Sequence, residues 1–317
     1  MKRELDLVEK QLQESARVDY PIISTMLQDI VKGGGKRLRP LLLLLATRSF
    51  SAPGEHAIIA AAGVELLHTA SLIHDDNIDR AALRRGNPTL NTELSSGAVI
   101  LIGDYLFAQS AILAAATGVP RVVMIFATSL ADICDGQLRE TLEAHDLGQT
   151  RESYEQRIYG KTAALFAGAA EMGAVIGEAP EYAIQELRRF GTELGMAFQI
   201  VDDILDLRER TDTIGKPAGN DIRQGVVTLP VMMFAEGLSS ETDTRRTIER
   251  IISGDETNDA RIDGVVAQIR DSGALERAED VARAYVEQAR KRLEVIPDDE
   301  TRRYFNDMLD LAVVRQS

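Results

Sequence analysis

The chain has 317 residues, of which 44% are apolar, 27% charged and 5% aromatic, with no tryptophan. That balance excludes a disordered or fibrous chain and suits a globular protein able to bury a core without a structural metal. The net charge of −14 excludes a broad nucleic-acid-coating role, and the single cysteine, Cys134, excludes an intramolecular disulfide and a cysteine-rich zinc site.

Cysteine usage fits a reducing, cytoplasmic setting. The polar start predicts no signal peptide. The longest apolar runs, such as residues 41–46, predict no transmembrane segment. Along the chain, Ala, Leu, Glu, Arg and Gln dominate, and these are strong helix formers. The periodicity predicts helices over 3–16, 21–32, 40–50, 54–79, 90–116, 121–146, 152–177, 181–208 and 227–236. A more charged set follows over 242–253, 259–271, 275–293 and 299–313. Prolines fall at or near the edges of these segments, where a missing N–H costs least. Strand-like alternation is nearly absent, although residues 98–102 fit either element. The fold class expected is therefore all-α. The long Ala- and Gly-rich segments between 54 and 208 form a central bundle, with the charged C-terminal helices wrapped outside. No low-complexity linker divides the chain, so a single domain over 1–317 is expected.

The first chemical signal is a glycine loop, Gly33-Gly34-Gly35-Lys36-Arg37-Leu38-Arg39-Pro40, leading into a helix whose first residue is read as Pro40. Its N–H groups with Lys36 and Arg39 suit a diphosphate; a plain helix cap with solvated charge is the other reading. Next comes Asp75-Asp76-Asn77-Ile78-Asp79, and much later Asp202-Asp203-Ile204-Leu205-Asp206. Both read D-D-x-x-D. At about 100° per helical residue, the three carboxylates of each cluster share one face. Adjacent carboxylates repel, and a divalent cation between them relieves this. Oxygen-only ligands favour Mg²⁺, with Mn²⁺ also suitable. Two such helices facing each other would make a cavity rim for several ions and a diphosphate. A solvated acidic face is the alternative, which the apolar flanks and the duplication count against.

Around the clusters lie further basic groups. His68 falls near the face of the first. Arg84-Arg85-Gly86 follows it, suited either to bidentate phosphate contacts or to pairing with nearby acids. Gly160-Lys161-Thr162 is read as opening a helix. Lys216 sits in a loop after the second cluster.

Together these residues resemble the trans-type polyprenyl diphosphate synthases. The match runs through Gly34-Gly35-Lys36-Arg37-Leu38-Arg39-Pro40, Leu67-His68-Thr69-Ala70-Ser71-Leu72-Ile73-His74 before the first cluster, and Leu83-Arg84-Arg85-Gly86. It continues through Gly103-Asp104-Tyr105-Leu106, Lys161-Thr162-Ala163-Ala164-Leu165-Phe166, and Phe198-Gln199 before the second cluster. The resemblance implies the all-α isoprenoid synthase fold around a central cavity, a homodimer, several Mg²⁺, and allylic diphosphate and isopentenyl diphosphate as substrates. It implies metal and allylic diphosphate binding by Asp75, Asp76, Asp79, Asp202, Asp203 and Asp206. Arg84, Lys161 and Lys216 would touch the allylic diphosphate; Lys36, Arg39, His68 and Arg85 would hold isopentenyl diphosphate. Thr162 and Gln199 would border the developing carbocation.

Two departures stand out. Val226 occupies a position where the family usually carries lysine. The element usually written G-E-x-x-Q reads Gly136-Gln137-Leu138-Arg139-Glu140. Small residues one turn below the first cluster, Ala70 and Ser71, leave the floor of the chain tunnel open and favour a product beyond farnesyl. Phe107 as a deeper plug, or a geranylgeranyl product, is the alternative. A terpene cyclase is disfavoured by the second D-D-x-x-D and the few aromatics. A regulatory subunit of a heteromeric synthase need not keep both clusters, and this chain has both.

Overall fold

A computed structural model describes residues 1–33, 35–84, 86–208 and 218–313. It is all-α. The chain enters through α1 (Lys2–Ser15), α2 (Pro21–Lys32), α3 (Leu38–Arg48) and α4 (Glu55–Ile78). A two-residue antiparallel ladder follows, β1 (Leu83–Arg84) against β2 (Asn87–Pro88). Then come α5 (Ser96–Ala116), α6 (Pro120–Glu143) and α7 (Arg151–Ile158). A π-helical turn over Tyr159–Ala163 leads into α8 (Ala164–Ile176) and α9 (Glu181–Arg208). Six further helices close the described chain: Asn220–Arg223, Leu229–Glu236, Asp243–Ile252, Asp259–Asp271, Ala274–Arg292 and Asp299–Val313.

Most ends follow from local chemistry. Pro21 pre-sets the first turn of α2. The side chains of Ser95 and Thr150 accept from the N–H groups of Ala98 and Ser153, capping α5 and α7. Three local expectations need correction. Pro40 is not the first residue of its helix; α3 starts at Leu38, and Pro40 still falls among the first-turn positions whose N–H has no helical partner. Residues 90–95 are not α-helical but form a 3₁₀ turn, Leu90–Thr92, before α5. Gly160-Lys161-Thr162 does not open a helix; it lies inside the π turn.

The chain divides into two compact units. The first comprises Met1–Ala131, Leu165–Gly191 and Lys291–Met308. Here α4 packs against α1, α3 and α5. Residues 42–46 of α3 are all buried, as a helix apolar on every side must be. Phe190 meets Phe305 edge-to-face, 5.1 Å between ring centroids. Both α4 and α5 are long and apolar enough to cross a bilayer by length and composition. Counting unbroken apolar runs overlooked them because single polar residues interrupt each. The apolar window of α4 is mostly buried against protein, as a core helix is.

The second unit comprises Asp132–Ala164, Thr192–Arg290 and the residues from Leu309. Its core joins Tyr154 and Ile158 of α7 to Ile200, Ile204 and Leu207 of α9, with Ile222, Val227, Ile248 and Val265. Each such fully buried aliphatic side chain contributes about 1.5–3 kcal/mol.

Candidate active site

In the first unit, the acidic cluster sits on the last turn of α4. Asp76 is buried, Asp75 half-buried, and Asp79 is the exposed C-cap. Three carboxylates at a helix C-terminus oppose the helix dipole, which raises the demand for a cation there. Part of that demand is met by the protein: Arg84 Nε on β1 donates to Asp76 Oδ1 at 2.7 Å. Asn91 Nδ2 donates to the backbone oxygens of Asp76 and Ala81 at 2.7 and 3.1 Å, fixing the turn that returns Arg84 to the cluster.

His74 precedes the cluster. Its Nε2 lies 3.1 Å from the Ile100 carbonyl and its ring meets Phe107 edge-on at 5.0 Å. A Cβ on Gly103 would come within 2.2 Å of His74 Nε2, so glycine at that position of the Gly-Asp-Tyr-Leu element makes room for the imidazole. Ala70 is fully buried, and the half-buried Ser71 donates through Oγ to the His68 carbonyl at 2.8 Å.

The glycine loop of this unit separates its cations by role. Arg37 has a left-handed backbone, φ 50°, and bonds Glu9 of α1 and Glu65 of α4. These bonds hold its guanidinium above its ordinary pKa against the opposing effect of burial. It pins the loop to two helices. Lys36 is exposed, and the Arg39 guanidinium lies 4.4 Å from the centre of the Phe166 ring, a distance suited to a cation–π contact.

In the second unit, the second cluster sits on the last two turns of α9. Asp203 is buried. Its Oδ2 accepts from the Tyr154 hydroxyl at 2.7 Å and its Oδ1 from Gln199 Nε2 at 2.9 Å. Gln199 Oε1 in turn accepts from Thr162 Oγ1 at 2.6 Å. Asp206 spends both oxygens on the N–H groups of Asn220 and Asp221, at 3.1 Å each, anchoring the helix Asn220–Arg223. Burial pushes the Asp203 carboxyl up to about 7, and burial together with Asp206 and Asp203 raises Asp221 well above the carboxylate range. Lys161 forms an ion pair with Glu140 of α6. A Cβ on Gly136 would come within 2.3 Å of the Lys161 nitrogen. The two backbones therefore touch there, and Glu140, one turn later, reaches the lysine.

Sequence reasoning assigned no role to Tyr154, Glu140, Asn91, His74 and Asp221. Tyr154 and Asn91 lie outside the recognised motifs. Glu140 stood as an unexplained change; it is the carboxylate partner of Lys161. Arg85 and Lys216, expected to bind substrate, and Gly34 of the glycine loop lie outside the described residues.

Among the described residues, no three His, Cys, Asp or Glu side chains already stand together as a metal cage. Magnesium needs none, since it keeps several waters and takes one or two carboxylates with phosphate. Acids raised by burial and by neighbouring carboxyls are a donor set that a hard cation fits.

Against known proteins, the sequence model of the polyprenyl synthetase family matches residues 20–269. The chain is 36% identical over 305 residues to heptaprenyl diphosphate synthase component 2 of Geobacillus stearothermophilus, covering 96% of this chain and 93% of that protein. The crystal structure of a decaprenyl diphosphate synthase from Rhodobacter capsulatus superposes with a TM-score of 0.93 at 36% identity, covering 99% of this chain and 96% of that one. A polyprenyl synthase from Caulobacter crescentus, complexed with calcium and isoprenyl diphosphate, gives 0.93 at 33% identity, over 100% and 96% of the two chains.

Proposed function

The chain belongs to the polyprenyl synthetase family, and from that premise we propose that it condenses an allylic diphosphate with isopentenyl diphosphate to an all-trans product longer than farnesyl. The observation that carries the reading is the repeated D-D-x-x-D, each copy at the C-terminal end of a long helix with a buried carboxylate. The family match spans residues of both units, which supports one synthase domain over 1–317.

In this reading Asp75, Asp76, Asp79 and Asp202 would hold magnesium, with manganese as a substitute, and Asp203 and Asp206 would act from behind through the bonds described above. Magnesium, when bound, stabilises the negative charge that builds on the departing diphosphate. Lys161, Arg84 and Lys216 bind the allylic diphosphate. Lys161 leaves Glu140, and Arg84 leaves Asp76, as phosphate oxygens take their place. Each such donor aimed at developing charge is worth roughly 10²–10³ in rate. Lys36, Arg39, His68 and Arg85 hold isopentenyl diphosphate. Thr162 and Gln199 border the allylic cation after its C–O bond ionises, and the double bond of isopentenyl diphosphate attacks it. The proton then lost goes to the departed diphosphate. Ala70 and Ser71 leave room below the first cluster for a long chain. Ser71→Phe is expected to shorten the product, read by chromatography.

A homodimer is proposed through the exposed apolar side chains of α5 and α6, Leu101, Ile112 and Met124, respectively 69%, 57% and 68% exposed. Such exposed large apolar side chains suit a second copy of the chain, and a cytoplasmic setting suits its substrates. One observation favours a second reading, in which a separate subunit is required: two similar proteins are named as component 2 of a heptaprenyl diphosphate synthase.

The deciding experiment incubates the purified chain alone with isopentenyl diphosphate, Mg²⁺ and each allylic primer, and analyses the products. A polyprenyl diphosphate longer than farnesyl supports the proposal. Activity only on adding a second protein moves it to the two-subunit reading, and a cyclic product overturns it.

A further inference from the structure

We propose that Tyr154 is a positioning residue for prenyl transfer, its hydroxyl fixing the Gln199 amide through Asp203 and thereby the hydroxyl of Thr162. The inference rests on the functional reading above, and all of its residues lie in the second unit.

The hydrogen-bond chain runs Tyr154 to Asp203, Gln199 to Asp203, and Thr162 to Gln199, at 2.7, 2.9 and 2.6 Å. Its direction follows from what each group can do. The amide nitrogen can only donate, so Gln199 Nε2 donates to Asp203 Oδ1, and the Tyr154 hydroxyl donates to Asp203 Oδ2. With its NH₂ on the carboxylate, the Gln199 amide turns its carbonyl oxygen to Thr162. Thr162 must then spend its one proton on that oxygen. What remains on the threonine oxygen is lone-pair density. Beside an allylic cation, lone pairs stabilise the charge, whereas an O–H aimed at it would oppose it.

Tyr154 closes this chain at its far end. Its side chain is fully buried, and the Arg157 guanidinium lies 5.5 Å from the centre of its ring. Arg157, also buried, donates to the Val227 carbonyl at 2.6 Å and to Gln149 Oε1 at 2.8 Å. The phenol is therefore held in one orientation. Removing its hydroxyl leaves Asp203 with one side-chain donor in place of two. The carboxylate can then rotate, the amide loses its single orientation, and the Thr162 proton is no longer directed.

The test is Tyr154→Phe, which keeps the ring and deletes the oxygen. Expected is a loss of about ten-fold in kcat with KM for both diphosphates nearly unchanged, as for an interaction felt in the transition state. In an Asp203→Asn background the same change adds no further loss, because both act along one chain. Thr162→Val approaches the chain from its other end and is likewise non-additive with Tyr154→Phe. Hydrogen exchange at the Gln199 side-chain amide, followed by NMR, quickens in Tyr154→Phe. Wild-type turnover in Tyr154→Phe, or losses that multiply in the double variants, overturns the proposal. A wild-type chain that makes no prenyl product overturns the functional reading instead, and the exchange measurement still decides whether Tyr154 fixes Gln199.

Discussion

The two D-D-x-x-D clusters share a sequence pattern and a place at the end of a helix, yet the protein treats their charge differently. At the end of α4, the buried Asp76 is met by the cation Arg84. At the end of α9, the buried Asp203 is met by a phenol and an amide, neither charged, and Asp206 by backbone N–H groups. The ammonium of Lys161 is paired with Glu140. Hydrogen bonds from neutral donors orient a carboxylate but leave its net charge in place. Over these contacts the second cluster keeps the larger surplus of acid. The difference teaches that a repeated motif fixes where carboxylates go, while the neighbours set how strongly they call for a cation.

That contrast can be broken most directly by removing one carboxylate from each side. Asp75→Asn and Asp202→Asn are each expected to lower kcat by about 10³, but thermal stabilisation by Mg²⁺ should be lost mainly in Asp202→Asn. Equal loss in both would erase the distinction.

The second test is pH. The Asp203 carboxyl sits at about 7 rather than 3.8, chiefly because it is buried. Below pH 4 it is protonated in the folded and unfolded chain alike. Between about 4 and 7 the unfolded chain sheds a proton that the folded chain keeps, so its contribution to metal-free stability falls across that window by a few kcal/mol and levels off above it. Asp203→Asn should flatten that segment of the stability profile.

On the other side, Arg84→Met leaves Asp76 without its cation and should cost about 1–3 kcal/mol, read as a lower melting temperature. An unaltered melt would mean that Asp76 is balanced elsewhere. The smallest effect sharpens the comparison from the acid-rich side. Val226→Lys adds a cation near the surplus and should lower KM for the allylic substrate about three-fold; an unchanged or raised KM would show that no contact is missing there.

Much of the fold was legible because helices are written locally. Pro21, the Asp259–Asp271 segment and the whole of 181–208 carry their periodicity and their ends in neighbouring residues. Where the reading slipped, the cause was packing. The touching backbones at Gly136 and Gly160 accompany the π turn that holds Lys161. In α3, where Pro40 and residues 42–46 are buried, the helix starts at Leu38, ahead of its proline.

The candidate site divides in the same way. Sequence alone determined the two acidic clusters, their helical setting and the basic elements around them, because residues one and four apart on a helix share a face whatever surrounds them. Only the tertiary structure decided that Arg37 is a clamp between helices, that Arg84 meets Asp76, that Lys161 meets Glu140, and that Tyr154 ends the hydrogen-bond chain on Asp203. Those partners are 8 to 49 residues apart in sequence. Pairing across such gaps is set by how helices pack, which no local pattern records.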